Sequence, residues 1–497
     1  ALGTWSGGAT FGGIGLEGRA FSPFGTLTAS GVTRFAVAPG QDRFLRLDTT
    51  YTYTEPDEMR RWRLGDVVAG ALPWTRAVRL GGVQVASDFA LRPDLVPTAL
   101  PAFSGSAAVP STVDVVVGGI RAFSQRVQPG PFEVRNLPMV TGAGDAIITV
   151  TDTLGRQTVT VLPFYASSVL LRPGLASYSL EAGPVRRGFG LVSDDYSRWA
   201  ALGTVRYGLT DWLTLEGHAE ATEGLHLGGV GAVLRVGTLG VLDAAVSYST
   251  GRGPPGDALA GPESGPLFSI GVRRTTRYLS LSAAASFASP GYRDVAAAFG
   301  SPVPRRTLRA TLGLPLGPFG SLSLSYVSQR GGTIALRPGA TLPPDFATGA
   351  GGVALFDGGR TDFSVVTASY SARIADGVSL YATAFADLER GGSNGLLVGF
   401  AIAFGRGITG SVSGSRDGGH DTLRLEAQRT AWSPGEAGFR VMDAEGRSSR
   451  RFAEVEYLGE WGRMTAGVDQ SDGTATGRAG ARGSVVVAGG GVFLADR

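Results

Sequence analysis

One pattern recurs almost from end to end of this chain: segments of about ten residues in which apolar or small side chains alternate with charged or hydroxylic ones. From Trp212 to Thr222, Leu213, Leu215, Gly217, Ala219 and Ala221 alternate with Thr214, Glu216, His218, Glu220 and Thr222. A period of two sends successive side chains to opposite faces of a strand. Leu242, Ala244, Val246 and Tyr248 repeat it against Asp243, Ala245, Ser247 and Ser249, as do Leu423, Leu425 and Ala427 against Thr422, Arg424, Glu426 and Gln428. Near the start, Leu45, Leu47, Thr49, Tyr51 and Tyr53 alternate with Arg46, Asp48, Thr50 and Thr52. Such strands, apolar outside, polar inside and often ending in an aromatic, suit an outer-membrane barrel. A soluble sandwich alternates too, so length has to decide.

At 497 residues the chain is too long for one sandwich, and no Pro/Gly/Ser linker divides it into domains of ordinary size. No apolar run approaches the roughly 18 to 20 residues of a spanning helix. Backbone groups in lipid must all be paired, so the remaining spanning solution is a closed barrel. Its 77 glycines supply turns such as Gly118-Gly119, Asp376-Gly377 and Gly391-Gly392. Setting aside the segment discussed below, about 440 residues at roughly 18 per strand and turn predict about 24 antiparallel strands. A barrel that wide encloses a lumen that side chains cannot fill, so something must block it.

Composition narrows the function classes. All 45 basic residues are Arg, dispersed along the chain, and the net charge is +3, which gives nucleic-acid binding no support. With no Cys there is neither a disulfide, a thiolate metal site nor a Cys nucleophile. Residues Ala1 to Gly13 lack the charged start and apolar core of a signal peptide, so the chain is expected to be a processed or excised piece of something longer.

Candidate chemical motifs fail on context. Gly13-Ile14-Gly15-Leu16-Glu17-Gly18 has the letters of a dinucleotide fingerprint but lies in an alternating strand with no helix after it. A Walker loop needs the Lys this chain lacks. His218, His226 and His420 show no metal-ligand spacing, and His218 reads as a lumen side chain. Asp194-Asp195 and Asp57-Glu58 read as solvated acidic pairs in turns. A Ser/His/Asp set at a barrel rim is the remaining enzymatic alternative, since triads are recognised by geometry. The expectation is no enzyme activity, no cofactor and no metal.

One segment breaks the barrel pattern. Pro110 to Val117 turns through Gly118-Gly119 into Ile120 to Val127, then Pro129-Gly130-Pro131 leads to Phe132 to Val134. A Gly142-Ala143-Gly144 turn precedes Ala146 to Thr151, and Thr153-Leu154-Gly155 leads to Gln157 to Leu162. Short strands at this spacing make a small β-sandwich. The Pro-rich Leu95 to Ser106 and the stretch Pro163 to Ser168 flank it as linkers. They would tether a rigid plug and let it swing; the alternative is a surface loop domain. Expected boundaries are 1–106 for the first part of the barrel, 107–165 for the plug and 166–497 for the rest.

Further motifs point to a family. Arg63-Leu64-Gly65-Asp66, Trp74, Val78 to Gln84, Asp88 to Asp94, Pro101 and Gly105 to Asp114 occur in order, followed by Gly130-Pro131-Phe132, Leu137-Pro138, Asp152 to Gly155 and Pro163 to Ser168. The chain thereby resembles the outer-membrane usher of chaperone-usher pili, most strongly over Phe44 to Thr250; Gly118-Gly119 stands where ushers usually place Asn-Gly. The resemblance implies a barrel of about 24 strands with an inserted plug, and a pore that secretes folded pilus subunits. Its implied partners are periplasmic chaperone–subunit complexes, pilus subunits in the lumen and outer-membrane lipid, with a homodimer left open. Subunits would then assemble by donor-strand exchange, a β-augmentation that needs no nucleotide. Arg79, Gln84, Asp88 and Arg92 before the plug, with Pro101, Pro163, Phe164 and Tyr165 at its linkers, become the gate candidates. The blander reading makes Gly81-Gly82 a strand kink and Asp88 and Arg92 lumen ion pairs. A passive porin or a plugged nutrient transporter is the competing function, although such transporters usually carry the plug ahead of the first strand.

Overall fold

The computed structural model describes residues 2–6, 9–35, 42–98, 103–107, 111–117, 120–127, 130–134, 142–152, 157–166, 169–252, 262–301, 303–331, 362–389, 394–405 and 407–495. Its first strands are β1 (Leu2–Ser6), β2 (Ala9–Ser22), β3 (Gly25–Phe35), β4 (Phe44–Glu55), β5 (Arg60–Val68) and β6 (Arg79–Ser87). Six short strands follow: β7 (Phe103–Ala107), β8 (Ser111–Val117), β9 (Ile120–Val127), β10 (Gly130–Val134), β11 (Gly142–Asp152) and β12 (Gln157–Ala166). Long strands resume with β13 (Ala176–Arg186), β14 (Tyr196–Thr210), β15 (Leu213–Thr222), β16 (Leu225–Val236), β17 (Gly240–Arg252), β18 (Pro262–Thr275) and β19 (Ser280–Ala288). After a short helix α1 (Val295–Ala298) come β20 (Arg306–Pro315), β21 (Ser321–Arg330), β22 (Phe363–Ala375), β23 (Val378–Asp387), β24 (Asn394–Gly405) and β25 (Ile408–Asp417). The last are β26 (His420–Arg429), β27 (Glu436–Glu445), β28 (Arg450–Gly459), β29 (Gly462–Ser471), β30 (Thr474–Arg482) and the hairpin β31 (Ser484–Ala488) and β32 (Gly491–Ala495).

Strands β1–β6 and β13–β30 form one 24-stranded antiparallel sheet, in which each pairs with the next. Two further ladders complete it: β6 pairs with β13 across the inserted segment, and β30 pairs with β1. The sheet is therefore a closed barrel, which leaves no wall strand with an unpaired edge. Among the described residues no helix is long and apolar enough to cross a membrane.

Alternation assigns the two faces. Outside, Leu64 lies opposite Val83, and both are exposed with Leu180 and Val205, as lipid-facing residues should be. Inside, Gln84 lies opposite Glu181, Glu181 opposite Leu202, and Leu202 opposite Glu220, all four buried. The predicted faces of β15 hold. In β4 they do not: Ala29 pairs with Thr49 but Gly31 pairs with Arg46, so a β-bulge consumes an extra residue. Arg46, expected to share the lumen face with Thr50 and Thr52, is turned outward.

The two rims differ. Turns at 23–24, 211–212, 237–239, 376–377 and 460–461 mark one; connections 69–78 and 187–195 and the stretch 289–301 mark the other. Short turns face the periplasm in such barrels and long loops the exterior. The chain leaves β6 and returns to β13 at the short-turn rim.

The insert forms a four-stranded sheet, β12-β11-β8-β9, and a pair, β7–β10. Val113 and Val115 of β8 are fully buried. Its strands start earlier than expected: Phe103–Ala107, assigned to the linker, pairs with Gly130–Val134. Likewise Gly142-Ala143-Gly144 is no turn but the start of β11, laddered to Phe164, Tyr165 and Ala166. Pro163 sits on β12, an edge strand, the kind of position to which proline is confined in sheets. Pro101 and the turns at Gly118-Gly119, Thr153-Leu154-Gly155 and Gly391-Gly392 lie outside the described residues.

Candidate functional site: a cluster on the inner wall

The connection between β5 and β6, residues 69–78, folds inward. Ala69 and Val78 join Val67, Leu80, Val185, Ala200, Leu202 and Leu225 in an apolar cluster that also takes in Val295 of α1, with Phe299 packed against it. The hairpin and the helix thus share one small core inside the barrel. Burying their apolar side chains holds two otherwise solvated loops against the wall.

Polar groups fix their orientation. Arg76 of the hairpin meets Asp294 in a two-point contact, Nε to Oδ2 at 2.6 Å and Nη2 to Oδ1, the geometry in which Arg–carboxylate pairs are strongest. Asp294 also caps α1 by accepting from the Ala297 N–H at 2.8 Å. Trp74 donates its indole N–H to Glu216 at 2.9 Å and lies edge-on to His218, ring centres 5.8 Å apart. His218 Nε2 is 2.8 Å from Glu220 Oε1, and the other Glu220 oxygen accepts the Val295 N–H at 2.6 Å. At the hairpin's base Gly70 N–H donates to Glu181 at 2.8 Å, and Gln84 Nε2 donates to the same oxygen at 2.9 Å and to Val68 O at 2.8 Å.

The chain returning from the sandwich joins this network. Leu170 is buried against Val233 and Val241 of the inner wall, and Leu171 N–H donates to Thr214 at 2.9 Å. Arg206 links it to the rest, donating to Val169 O and, at 2.9 Å, to Glu216, the carboxylate that holds Trp74. Arg172 N–H donates to Pro97 O and Thr98 bridges Leu171, so the outgoing and returning segments run side by side. Linker, hairpin and helix are thereby joined through Arg206, Glu216, Trp74, His218 and Glu220. A cavity of about 500 Å³ lies beside them, lined by Trp74, Arg76, Tyr292, Asp294 and Arg309 among others. Burial pushes the Tyr292 phenol above its ordinary range, leaving it protonated beside Ser247 at 3.0 Å.

The expected site residues divide. Gln84 faces this cluster, whereas Arg79 points to the outer face, toward Asp48 at 3.0 Å and stacked 3.7 Å from the centre of the Phe189 ring. Asp88 pairs with Arg61 at 2.8 Å and caps the 3₁₀ turn Phe89–Leu91; Arg92 pairs with Asp94 at 2.8 Å. Asp88 and Arg92 therefore each have a local partner. Gly81-Gly82 does more than kink a strand: a Cβ on Gly82 would meet Ala182 O at 2.0 Å, so β6 and β13 cross too closely for a side chain. Arg76, Glu181, Glu216, Glu220 and Asp294 were not singled out from sequence. The alternation of β15 marked Glu216 and Glu220 as inward, but nothing local pairs residues 76 and 294. Among the described residues no group of three or more His, Asp or Glu could hold a metal ion.

A closed barrel of this size, carrying six short strands inserted between two adjacent wall strands and an inward hairpin wired to the segment that returns from them, defines a transmembrane pore with an insert in its wall. The family model described as outer membrane usher protein matches residues 75–330, so the chain belongs to the outer-membrane usher family and its wall lies in the outer membrane. The F1 capsule-anchoring protein of Yersinia pestis is 28% identical over 173 residues, 35% of this chain and 20% of that protein. The usher PefC of Salmonella typhimurium is 30% identical over 160 residues, 32% of this chain and 20% of PefC. These alignments thus span about a fifth of the curated relatives' length. The P pilus usher (PapC) translocation pore shares the fold, at 18% identity and a TM-score of 0.59, over 97% of this chain and 98% of that one. A chain of the E. coli P pilus tip assembly intermediate PapC-PapD-PapK-PapG gives 17% identity and 0.74, over 100% of this chain and 61% of its own length.

Proposed function

We propose that this chain is the translocation pore of an usher, which passes folded pilus subunits brought by a periplasmic chaperone and supports their assembly by donor-strand exchange, with the inserted sandwich as its plug. The observation that carries the reading is the returning linker, held on the inner wall through Leu170, Leu171 and Arg206. A linker held there supports a sandwich rooted inside the lumen, and the approach of β11 to β18 is in keeping with a domain reaching across it. Hairpin 69–78 and α1 then latch the plug through the Trp74–Glu216 and Arg76–Asp294 contacts. Membership of the usher family and a relative solved with PapD, PapK and PapG support chaperone–subunit complexes as the partners. Such a cycle draws its energy from completing a strand in the subunit, so it requires no catalytic residue, nucleotide or metal.

Of the gate candidates, Gln84 keeps a direct role at the hairpin base, while Asp88 and Arg92 shape the outgoing linker. The test is single-channel conductance in a planar bilayer, comparing the intact chain with one in which residues 103–166 are replaced by a short Gly/Ser turn. The intact chain should be mostly closed and the deletion a large, steady pore. Equal conductance would place the sandwich outside the lumen and favour a porin.

A further inference from the structure

The ladder between β6 and β13 is where the inserted domain interrupts the wall. It runs from Ser179↔Ala86 to Ala182↔Val83, breaks, and resumes at Val185↔Leu80. Over the outer face of this seam lies a second polar cluster, opposite in facing to the first. Asp66 shares the outward side of Leu64, since both keep the regular register with Gly81 and Val83. Its side chain is 3% exposed, yet it accepts from Arg46 at 2.5 Å, Tyr196 Oη at 2.5 Å and Thr49 N–H at 2.8 Å, and pairs with Arg186 at 2.9 Å. Arg186, fully buried, also reaches Asp48 at 3.2 Å, and Arg79 reaches the same carboxylate.

The connection 187–195 lies over this cluster as a flap. Ser193 Oγ accepts the Arg46 N–H at 3.1 Å, Asp194 pairs with Arg46 at 2.8 Å, and Arg34 of β3 donates to Gly190 O at 3.3 Å. The flap therefore spans from β13 and β14, across β6 and β5, to β4 and β3. Phe189, Leu191 and Val192 on it are exposed, presenting apolar groups outward above a charged interior. Three guanidinium groups (Arg46, Arg79, Arg186) face three carboxylates (Asp48, Asp66, Asp194), so the cluster is electrically balanced. Ionic groups turned toward lipid are costly unless paired and covered; here all six are paired, and Asp66 and Arg186 at the centre are covered as well.

We propose that this cluster is a clasp across the plug-insertion seam, which holds β6 against β13 and so positions hairpin 69–78 and Gln84 on the inner side while the plug moves. Arg186, Asp66 and Arg46 are positioning residues: they act on the gate through the strands they tie. A hairpin turn joins most neighbouring wall strands at one end, whereas between β6 and β13 the whole inserted domain intervenes, and side chains supply the missing constraint. The use of the clasp rests on the gated-pore reading; the clasp itself does not.

The experiment is hydrogen exchange by mass spectrometry on the full chain in nanodiscs. Asp66→Asn leaves two guanidinium groups short of a charge, and exchange across residues 79–87 and 176–186 should rise at least about tenfold while β20 and β21 stay unchanged. Unchanged seam exchange would overturn the clasp. Should Asp66→Asn fail to fold, Arg79→Met, which removes a half-exposed ion pair and the Phe189 stack, should give a smaller rise in the same peptides; no rise would equally overturn it. As the chain has no Cys, Val83→Cys with Ala182→Cys places one disulfide across the seam. In the Asp66→Asn background it should restore slow exchange and the closed conductance, reversibly on reduction. Failure to restore either would show that strand separation is not what Asp66→Asn causes. If deleting residues 103–166 leaves conductance unaltered, the gated-pore reading falls while the exchange result still decides the clasp.

Discussion

The wall from β4 to β20 and the wall from β22 to β30 are built from the same alternating strands, yet their inward charges sit in different surroundings. On the first, Glu216 and Glu220 side chains are 2% exposed and His218 is fully buried. On the second, the Glu426 side chain that pairs with Arg440 at 2.8 Å is 17% exposed, and the Glu456 side chain that pairs with Arg463 at 2.7 Å is 16% exposed. The strands do not make this difference. Hairpin 69–78, α1 and the returning linker do, by covering the carboxylates of the first wall more completely. An inward carboxylate under cover is a structural element whose partner cannot be removed cheaply; the same carboxylate in water is a solvated lumen charge.

The substitution expected to break this contrast most strongly is Trp74→Ala. It empties the hairpin tip and strips Glu216 and His218 of a partner, a local loss of about 3–5 kcal/mol on the scale of large-to-small core changes. The open fraction in bilayer recordings should rise toward that of the plug deletion. A closed channel would mean that the hairpin does not latch the plug.

Next comes Asp294→Asn, which keeps the shape of the helix cap but removes the charge that Arg76 reads. Arg76 is partly exposed, so about 1–3 kcal/mol is the fitting scale for the weakened contact. Shorter closed times with an unchanged melting temperature would tie the pair to gating; a melting shift without a gating change would make it purely structural. The sharpening control is Arg440→Ala on the second wall. Exposed pairs are worth about 0.2–1 kcal/mol, and neither closed times nor melting should move measurably.

How much of this was readable beforehand follows from the range of each interaction. Strand faces were legible wherever period two runs unbroken, as in β15, and so was a run of short strands interrupting the barrel pattern between β6 and β13. The β4 bulge was not, because an extra residue leaves the alternation of letters intact while reversing the faces beyond it. Arg79 and Gln84 lie an odd number of residues apart on one strand, which already places them on opposite faces; grouping them as one motif hid this. The Arg76–Asp294 contact joins residues 218 apart, and no local pattern encodes a pair set by how two loops fold into a lumen. Phe103–Ala107 was taken for linker since a short strand beside prolines shows its nature only through its partner, Gly130–Val134.

The smallest expected effect lies on the outgoing linker. Arg92 donates to both oxygens of Asp94, at 2.9 and 2.8 Å, and this contact holds the Asp94 carboxyl below its ordinary range. A carboxylate with a lowered folded value contributes stability that is present above the unfolded range and lost as pH falls through the folded value, so the window is acidic. Both groups are solvated, and the contribution should be too small to see in melting. Arg92→Ala should raise the Asp94 value toward that of a free aspartate in an NMR titration, with gating at neutral pH unchanged. A gating change in Arg92→Ala would give the outgoing linker a share in control that the solvated geometry of this pair does not predict, and would extend the proposed gate to the residues just ahead of the insert.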